Sequence, residues 1–199
     1  MTDAGSDETR AEIMQATFQA LRRHGYADLS IEHISGELGK SKSLLYYYYE
    51  SKDEVLLALL DHAIEEYVGD LDVDAETSPE TALKQFLDTL LAPPTVQAGP
   101  ELIAVLLELR VQAVSDAAYR ERFTRLDQRL HTTIEDLIEH GIEAGEFSPV
   151  DARQVAGHIV IMINGIILQQ ATTAGDSTLS NVPRDALMSY LDETLGENR

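Results

Sequence analysis

The sequence predicts an all-α fold, with a three-helix head at the amino terminus and a larger helical body behind it. Apolar residues recur at intervals of three and four along most of the chain, which is the period of a helix with one buried face. No stretch shows the sustained alternation of apolar and polar residues that marks a half-buried strand. Serine, glycine and proline separate the periodic stretches, and 199 residues are enough to bury a core.

Two helices open the head. The first is predicted from about Asp7 to His24, where apolar residues repeat at three and four and Gly25 supplies a left-handed stop. Ser30 is a suitable N-cap for a second helix over Ile31–Leu38, which Gly39 ends. The head therefore begins with one long helix and one short one.

Two further helices follow a short corner. Ser41 is predicted to cap a third helix that runs through Tyr48. The fourth opens with Ser51-Lys52-Asp53-Glu54, a capping box in which the serine and glutamate side chains satisfy free backbone donors, and it is expected to reach Tyr67.

The body is predicted to hold five helices, with an acidic linker over Val68–Ser78 before them and a Pro-rich loop over Ala92–Gly99 between the first two. Proline suits the first position of a helix, so Ser78-Pro79, Ser148-Pro149 and Val182-Pro183 mark three of the starts. The helices are expected at about Pro79–Leu91, Pro100–Val114, Asp116–Glu143, Pro149–Thr173 and Pro183–Leu195.

The charge of the chain is strongly negative and unevenly distributed. Residues 1–55 hold ten acids and six bases, a net of −4, whereas residues 56–199 hold twenty-five acids and nine bases, a net of −16. Three of the four lysines, Lys40, Lys42 and Lys52, fall within thirteen residues and form the one local basic feature. Scarce lysine among abundant acids suggests a halophilic source with a very salty cytoplasm, and an ordinary acidic mesophilic protein is the alternative.

Several classes of protein are excluded or disfavoured. The chain has no cysteine, which rules out disulfides, thiolate zinc sites and a cysteine nucleophile. The polar amino terminus lacks a signal-peptide core, and Asn164 and Gly165 interrupt the most apolar run, so we expect a cytoplasmic protein with no membrane partner. Among the six histidines, only His131 has a carboxylate, Glu135, at the four-residue helical spacing of a metal-binding pair, which is too little for a metal site. The sequence also has no glycine-rich phosphate-binding loop. We expect no enzyme, no catalytic residue, no metal and no cofactor.

The second and third helices form a candidate helix-turn-helix. They are joined by Gly39, Lys40 and Ser41, a turn of the size that sets one helix across another and lets the second enter the major groove of DNA. Any helical hairpin with a glycine corner could imitate this pattern. The residues that follow the corner are more specific.

Four consecutive tyrosines, Tyr46 to Tyr49, occupy the end of the third helix. Consecutive helical positions point around most of the circumference, so these rings cannot all be buried. Outward phenols beside Lys42 and Lys52 are suited to donate to phosphate oxygens, and the free amides at the start of the fourth helix add a further phosphate site. We assign Tyr47 and Tyr48 to DNA and expect Tyr49 to help seal the head.

Residues 10–60 resemble the amino-terminal domain of the TetR family of regulators. The resemblance implies that seven residues occupy positions that commonly meet DNA: Ser30, Ser41, Ser43, Leu44, Tyr47, Tyr48 and Lys52. Lys40 and Lys42 join them as candidates from the basic cluster. The family pattern is carried by Ile13, Ala16, Phe18, Gly25, Tyr26, Ser30, Ile31, Ile34, Gly39, Ser41, Lys42, Leu45, Tyr46, Tyr47, Ser51, Lys52 and Leu56.

Three departures from the family pattern affect what can be carried over. Lys40 stands where an apolar residue usually packs the turn, Ser43 where glycine is frequent, and Tyr48-Tyr49 where histidine and phenylalanine are frequent. The fold tolerates these changes, but the base preference does not transfer.

The resemblance implies a helix-turn-helix domain over residues 1–51, a connecting helix over 52–69, and a ligand-binding and dimerisation domain over 70–199. Gly141–Val150 followed by Ala156, Asn164 and Gly165 is similar to a common subtype, in which the last two helices pair with those of a second subunit. A fully buried central helix in a monomer is the alternative use of the apolar run Ile159–Leu168.

An effector pocket is expected among the body helices. Arg110 has two open uses, as a contact of an acidic effector or in an internal ion pair with Glu108 or Asp116, and His158 is expected to be a core histidine more often than a ligand contact. The candidate lining residues are Phe86, Leu106, Arg110, Tyr119, Phe123, His158, Met162 and Asn164.

The function that follows is sequence-specific DNA binding by a transcriptional regulator. We expect a homodimer on a near-palindromic operator, acting as a repressor that a small hydrophobic or amphipathic effector releases. The alternative is a DNA-binding regulator without such an effector, controlled by a protein partner or by abundance. The operator, the effector, the regulated genes and the sign of regulation are left open by the sequence.

Overall fold

The computed structural model describes residues 4–69, 77–91, 99–173 and 182–196, and within these ranges the chain forms nine helices and no strand. This confirms the predicted all-α class. The helices are α1 (Ala4–Asp28), α2 (Ile31–Leu38), α3 (Lys42–Tyr48), α4 (Lys52–Gly69), α5 (Pro79–Leu91), α6 (Gly99–Gln112), α7 (Ala117–Glu143), α8 (Ala152–Thr172) and α9 (Val182–Leu195).

The chain divides into two compact units. The first comprises residues 1–70 and 101–123, and therefore joins α6 and the start of α7 to the helices of the head. The second comprises residues 71–100 and 124–199. The predicted domain boundaries stay a prediction, because a division of the chain into compact units does not fix the limits of its domains. Most of the predicted linker and of the predicted Pro-rich loop, residues 70–76 and 92–98, lies outside the described residues.

The head packs around a small core between α1, α2, α3 and α4. Ser30 caps α2 as predicted, with its hydroxyl accepting from the His33 backbone N–H at 3.2 Å, and Gly39 ends it in the left-handed conformation. Within α3 only Leu45 is fully buried. The fully enclosed side chains of this core include Ile13, Ala20, Leu21, Ile34, Leu45, Val55, Leu56 and Leu60.

Gly25 breaks α1 near its carboxyl end. Its dihedral angles, φ 69° and ψ 164°, lie in a region that essentially only glycine adopts. The helical ladder resumes for one turn afterwards, because the Leu29 N–H donates to the Gly25 carbonyl at 3.1 Å. The predicted stop at Gly25 is confirmed, and the extra turn to Asp28 was not predicted.

The starts of α3 and α8 are capped differently from the prediction. Ser41 lies at the N-cap of α3, but its side chain makes no capping bond. The expected start of α8 at Ser148-Pro149 is wrong: the helix begins at Ala152, where Asp151 accepts from the Gln154 N–H at 3.0 Å. Ser148 instead joins the end of α9, since its hydroxyl donates to the Gly196 carbonyl at 2.7 Å.

The capping box at the start of α4 is present with one change of partner. The Ser51 hydroxyl accepts from the Glu54 N–H at 3.1 Å, as predicted. The Glu54 carboxylate accepts from the backbone N–H of Glu50 at 2.6 Å, one residue before the expected donor.

The second unit contains α5, most of α7, α8 and α9. Helix α8 buries Val155, Ile159, Ile163 and other residues on one side, while Ile161 is 69% exposed on another. By length and composition alone α8 could cross a membrane, but the core helix of a soluble protein passes the same test, so this is weak evidence.

We predict that Gly25→Ala lowers the free energy of unfolding by roughly 1–3 kcal/mol, because alanine is strained at this φ and ψ. The control is Gly36→Ala, which lies inside α2 with open space around the new methyl group and should raise stability by about 0.5–1 kcal/mol. Denaturant unfolding at one protein concentration measures both. A gain in stability for Gly25→Ala would show that the rest of the fold does not require the non-helical conformation at residue 25.

Candidate nucleic-acid interface

Helix α3 presents one face outward and is held to the core of the head by one buried residue. Leu45 is completely buried, whereas Tyr46 and Tyr47 are 56% and 80% exposed. Lys42 and Ser43 are also exposed, and Leu44 is half-buried. A short helix held from one side in this way leaves an outward surface with hydroxyl, phenol and ammonium groups. Such groups can donate hydrogen bonds to phosphates and to base edges.

The tyrosine run divides between exposed rings, at Tyr46 and Tyr47, and half-buried rings, at Tyr48 and Tyr49. Tyr47 and Tyr48 meet edge to face with ring centroids 5.2 Å apart, and the Tyr48 and Tyr49 rings lie 6.5 Å apart. Tyr49 is half-buried, which agrees with its predicted sealing role, and burial raises the pKa of its phenol. Tyr48 is half-buried between its neighbours and keeps only part of its surface for a partner.

The lysines of the interface are engaged with the head itself. Lys40, in the turn, forms an ion pair with Glu12 of α1. Lys42, at the start of α3, forms an ion pair with Glu32 of α2. The four side chains are between 41% and 63% exposed. Sequence reasoning missed both acids, since neither is close to its lysine along the chain.

Lys52 is directed towards α1. Its ammonium donates to the Tyr26 carbonyl at 3.2 Å and lies 4.7 Å from the centre of the Tyr26 ring. A cation over an aromatic face is attracted by the ring electrons. Lys52 therefore secures the start of α4, a role that accompanies its predicted contact with phosphate.

Tyr26 also connects the head to α6 within the same compact unit. Its backbone N–H, left free by the break at Gly25, donates to a Glu108 carboxylate oxygen at 2.9 Å. Its hydroxyl donates to Asp53 of α4 at 3.2 Å. Glu108 is 82 residues away in sequence, and no local signal predicts this contact.

Tyr119 lies beside this junction and is completely buried. Its hydroxyl lies next to the Tyr26 phenol. Burial, followed by the nearby Tyr26 phenol and the Asp53 carboxylate, raises the pKa of Tyr119. Burial and Asp53 likewise raise the pKa of Tyr26. Both phenols are therefore held in the neutral form.

The candidate effector residues divide between the two units. Leu106, Arg110, Tyr119 and Phe123 belong to the first unit, and Phe86, His158, Met162 and Asn164 to the second. The Arg110 guanidinium lies 5.0 Å from the centre of the Phe123 ring. Two clefts inside the second unit, one between α7 and α8 and one beside Phe147 and Leu191, are lined by none of the eight. The ligand assignments stay predictions.

His158 is not the core histidine that the sequence suggested. Its side chain is exposed, and its Nδ1 lies 3.0 Å from the hydroxyl of Tyr190. The apolar residues around it in the sequence favoured burial, but position 158 falls on the outer side of α8. The bond ties α8 to α9.

Two family models match the chain once these features are compared with known proteins. One, described as bacterial regulatory proteins of the tetR family, matches residues 13–59, which hold the helix-turn-helix and the start of α4. The other, described as the C-terminal part of a BetI-type transcriptional repressor, matches residues 79–196.

Individual relatives agree with this match. A TetR transcription regulator from Haloarcula marismortui has a crystal structure that is 39% identical, covers 95% of this chain and 99% of its own, and superposes with a TM-score of 0.86. A transcriptional regulator from Saccharomonospora viridis, crystallised with choline, is 22% identical over 96% of this chain and 100% of its own, with a TM-score of 0.85; this likeness concerns the fold alone. The HTH-type regulator YfiR of Bacillus subtilis is 26% identical over 86% of this chain and 83% of its own length.

The raised pKa of Tyr119 predicts a loss of stability at alkaline pH. The folded protein keeps a proton that the unfolded chain releases near the ordinary tyrosine pKa of about 10, so the stabilising contribution is present below that pH and is lost above it. Tyr119→Phe should flatten the fall in the free energy of unfolding above about pH 10. Tyr46→Phe, at an exposed phenol, is the control. Equal pH profiles for wild type and Tyr119→Phe would contradict the assignment.

Proposed function

We propose that this chain, which belongs to the TetR family of transcriptional regulators, binds a near-palindromic operator as a homodimer and is released by a small effector. Family membership makes it a DNA-binding transcriptional regulator and not an enzyme. The observation that carries the proposed docking is the outward face of α3, anchored by Leu45 and led by Tyr47. We place the protein in the cytoplasm, which suits this family.

We propose that α3 lies in the major groove. Ser43 and Leu44, on its first turn, are placed to meet base edges, and the tyrosines at its end to meet the sugar-phosphate backbone. The turn residues Lys40 and Ser41 and the start of α4 extend the backbone contacts, because the first amides of a helix are free donors. Ser30 is committed to capping α2, so only the outer side of its hydroxyl is left for DNA.

We propose a homodimer through α8 and α9. Gly157, Ile161, Gly165 and Leu168 follow one another at spacings of three and four, and the last three are exposed in the protomer. A stripe of apolar and small residues on an outer face is suited to close packing against a second copy. Two-fold pairing of this kind matches a near-palindrome whose half-sites lie about one helical turn apart, roughly 34–36 Å.

The effector is proposed to be small and hydrophobic or amphipathic. The regulator from Saccharomonospora viridis was crystallised in complex with choline, a small quaternary ammonium cation. The net charge of −16 over residues 56–199 of this chain favours a neutral or cationic head group over an anionic one. The eight candidate residues given above are the first to test.

Release requires that effector binding favour a different placement of the reading heads. In the first unit α6 is bonded to the turn after Gly25 through Glu108, so movement of α6 pulls directly on α1 and, through Tyr26 and Asp53, on α4. Helix α6 would thus be a second link to the head beside the connecting helix α4. A coupling of about 1–3 kcal/mol would lower operator affinity roughly 5- to 150-fold.

A regulator without a small effector is the second candidate. Two clefts that the described residues of the second unit form are lined by none of the predicted ligand residues, which favours this candidate. A thermal-shift screen that begins with choline separates the two, since a ligand of the native state raises the melting temperature.

We predict that Tyr47→Phe weakens binding to operator and scrambled duplexes alike, by roughly 10-fold, because it removes a hydrogen bond to a charged phosphate. Ser43→Ala should instead change the preference between sequences. Titration of both duplexes measures the effects. If Tyr47→Phe left both affinities unchanged, the proposed docking of α3 would be wrong.

We predict that Ile161→Asp shifts the protein towards monomer, because it places a charge in the proposed seam. Val114→Asp introduces the same charge at a still more exposed valine in the first unit and should leave the oligomeric state alone. Gly165→Leu, whose side chain enters open space in the protomer, should also favour monomer. Analytical ultracentrifugation measures the oligomeric state, and a stable Ile161→Asp dimer would show that the interface lies elsewhere.

We predict that Glu108→Ala uncouples the effector from the operator. The variant loses the acceptor of the Tyr26 N–H, so the ratio of operator affinities with and without a stabilising compound should fall towards one. Glu108→Gln keeps an acceptor oxygen and should retain most of the ratio. An unchanged ratio in Glu108→Ala would show that α6 does not act through this bond.

A further inference from the structure

Two basic groups of the DNA-reading surface, Lys40 and Lys42, are already occupied by carboxylates of the same head. The Lys40 ammonium is paired with Glu12, and the Lys42 ammonium with Glu32. A third pair of the same kind, Arg23 with Glu37, joins α1 to α2. The three pairs connect different elements, so they are not the usual neighbours along one helix.

We propose that Glu12 and Glu32 compete with DNA phosphates for Lys40 and Lys42, so that operator binding is an exchange of one anion for another. The proposal rests on the proposed function, because it takes the two lysines to be phosphate contacts. In it the two glutamates act through the lysines, as residues that set the affinity and the salt dependence of DNA binding.

The exchange is possible because the pairs are exposed. Both lysines and both glutamates keep more than two fifths of their side-chain surface in solvent. Exposed ion pairs are weak, since water and salt screen them and the side chains lose freedom on pairing. A phosphate brought close by the docking of α3 can therefore displace the carboxylate without unfolding any element.

The exchange changes how the affinity depends on salt. A free lysine that neutralises a phosphate releases a condensed cation from DNA, so four such contacts in a dimer would contribute about −3.6 to the slope of log K against log salt. Here each contact also frees a glutamate, whose charge draws cations back towards the protein. The release is offset, and binding becomes less sensitive to salt.

This arrangement suits a head whose net charge is −4 over residues 1–55. A protein whose binding depended on the release of cations would lose affinity steeply as the salt concentration rises, because each phosphate contact adds to the negative slope of log K against log salt. Exchange of carboxylate for phosphate keeps the number of paired lysines constant before and after binding. The long-range repulsion of an acidic head for DNA is itself reduced by salt.

The test uses the full-length protein, wild type and Glu12→Gln/Glu32→Gln, titrated against a fluorescein-labelled duplex of roughly 30 base pairs, about three helical turns. Potassium chloride is varied from about 50 to 200 mM. The variant should bind roughly 10-fold more tightly at the lowest salt, because its lysines are free, and its slope should be steeper by about 1–3.

Glu8→Gln/Glu65→Gln is the matched control. It removes the same charge from exposed positions of α1 and α4 and should change the slope by much less. Adding Lys40→Gln and Lys42→Gln to the first variant should return the slope to the wild-type value, which a merely structural role of the glutamates would not produce. Circular dichroism melting of each protein checks that the head is folded.

The outcomes separate the claims. A higher affinity and a steeper slope of log K against log salt for Glu12→Gln/Glu32→Gln alone support the exchange. Equal effects in the control variant would show a general charge effect and overturn it, as would an unchanged slope. If Glu12→Gln/Glu32→Gln melts before it can be titrated, the two single variants decide by the same criteria. A wild-type protein that binds no duplex at all contradicts the proposed function itself.

Discussion

The burial of Leu45 is the contact on which the reading surface depends. Helix α3 has seven residues, too few to be stable by its own hydrogen bonds, and the residue that it buries completely is this leucine. With Leu45 in the core of the head, the geometry of a helix turns Tyr46 and Tyr47 outward and leaves Tyr48 half covered, while Tyr49 follows the helix in an extended conformation. The outward chemistry of α3 is thus a consequence of one packing contact.

A second junction gathers around Tyr26, directly after the break at Gly25. Its N–H bonds Glu108 of α6, its hydroxyl bonds Asp53 of α4, and its carbonyl accepts from Lys52. The break frees the N–H that a continuous helix would have used, so the strained glycine and the α6 contact belong together. A single residue thereby ties three helices of the first unit, which is a suitable place to transmit movement to the head.

The sequence was sufficient for features that depend on near neighbours. Helices α2, α3 and α5 have the predicted limits, because Ser30, Gly39 and the Ser78-Pro79 pair act locally. Contacts between distant segments were missed: Glu108 with Tyr26, and Glu12 with Lys40, pair residues that no periodicity relates. The apolar neighbours of His158 favour burial, but the residue lies on the exposed side of α8, and the sequence pattern does not separate an apolar side that faces outward from one that faces the core.

Placement of α3 in the major groove of two half-sites is the central claim, and the chain offers a direct way to test it because it contains no cysteine. Ser43→Cys, labelled with an iron chelate that cleaves nearby DNA, reports which bases lie beside the first turn of α3. The account predicts two clusters of cuts, related by two-fold symmetry and separated by about one helical turn or somewhat more. A single cluster, or cuts spread evenly along the duplex, would contradict it.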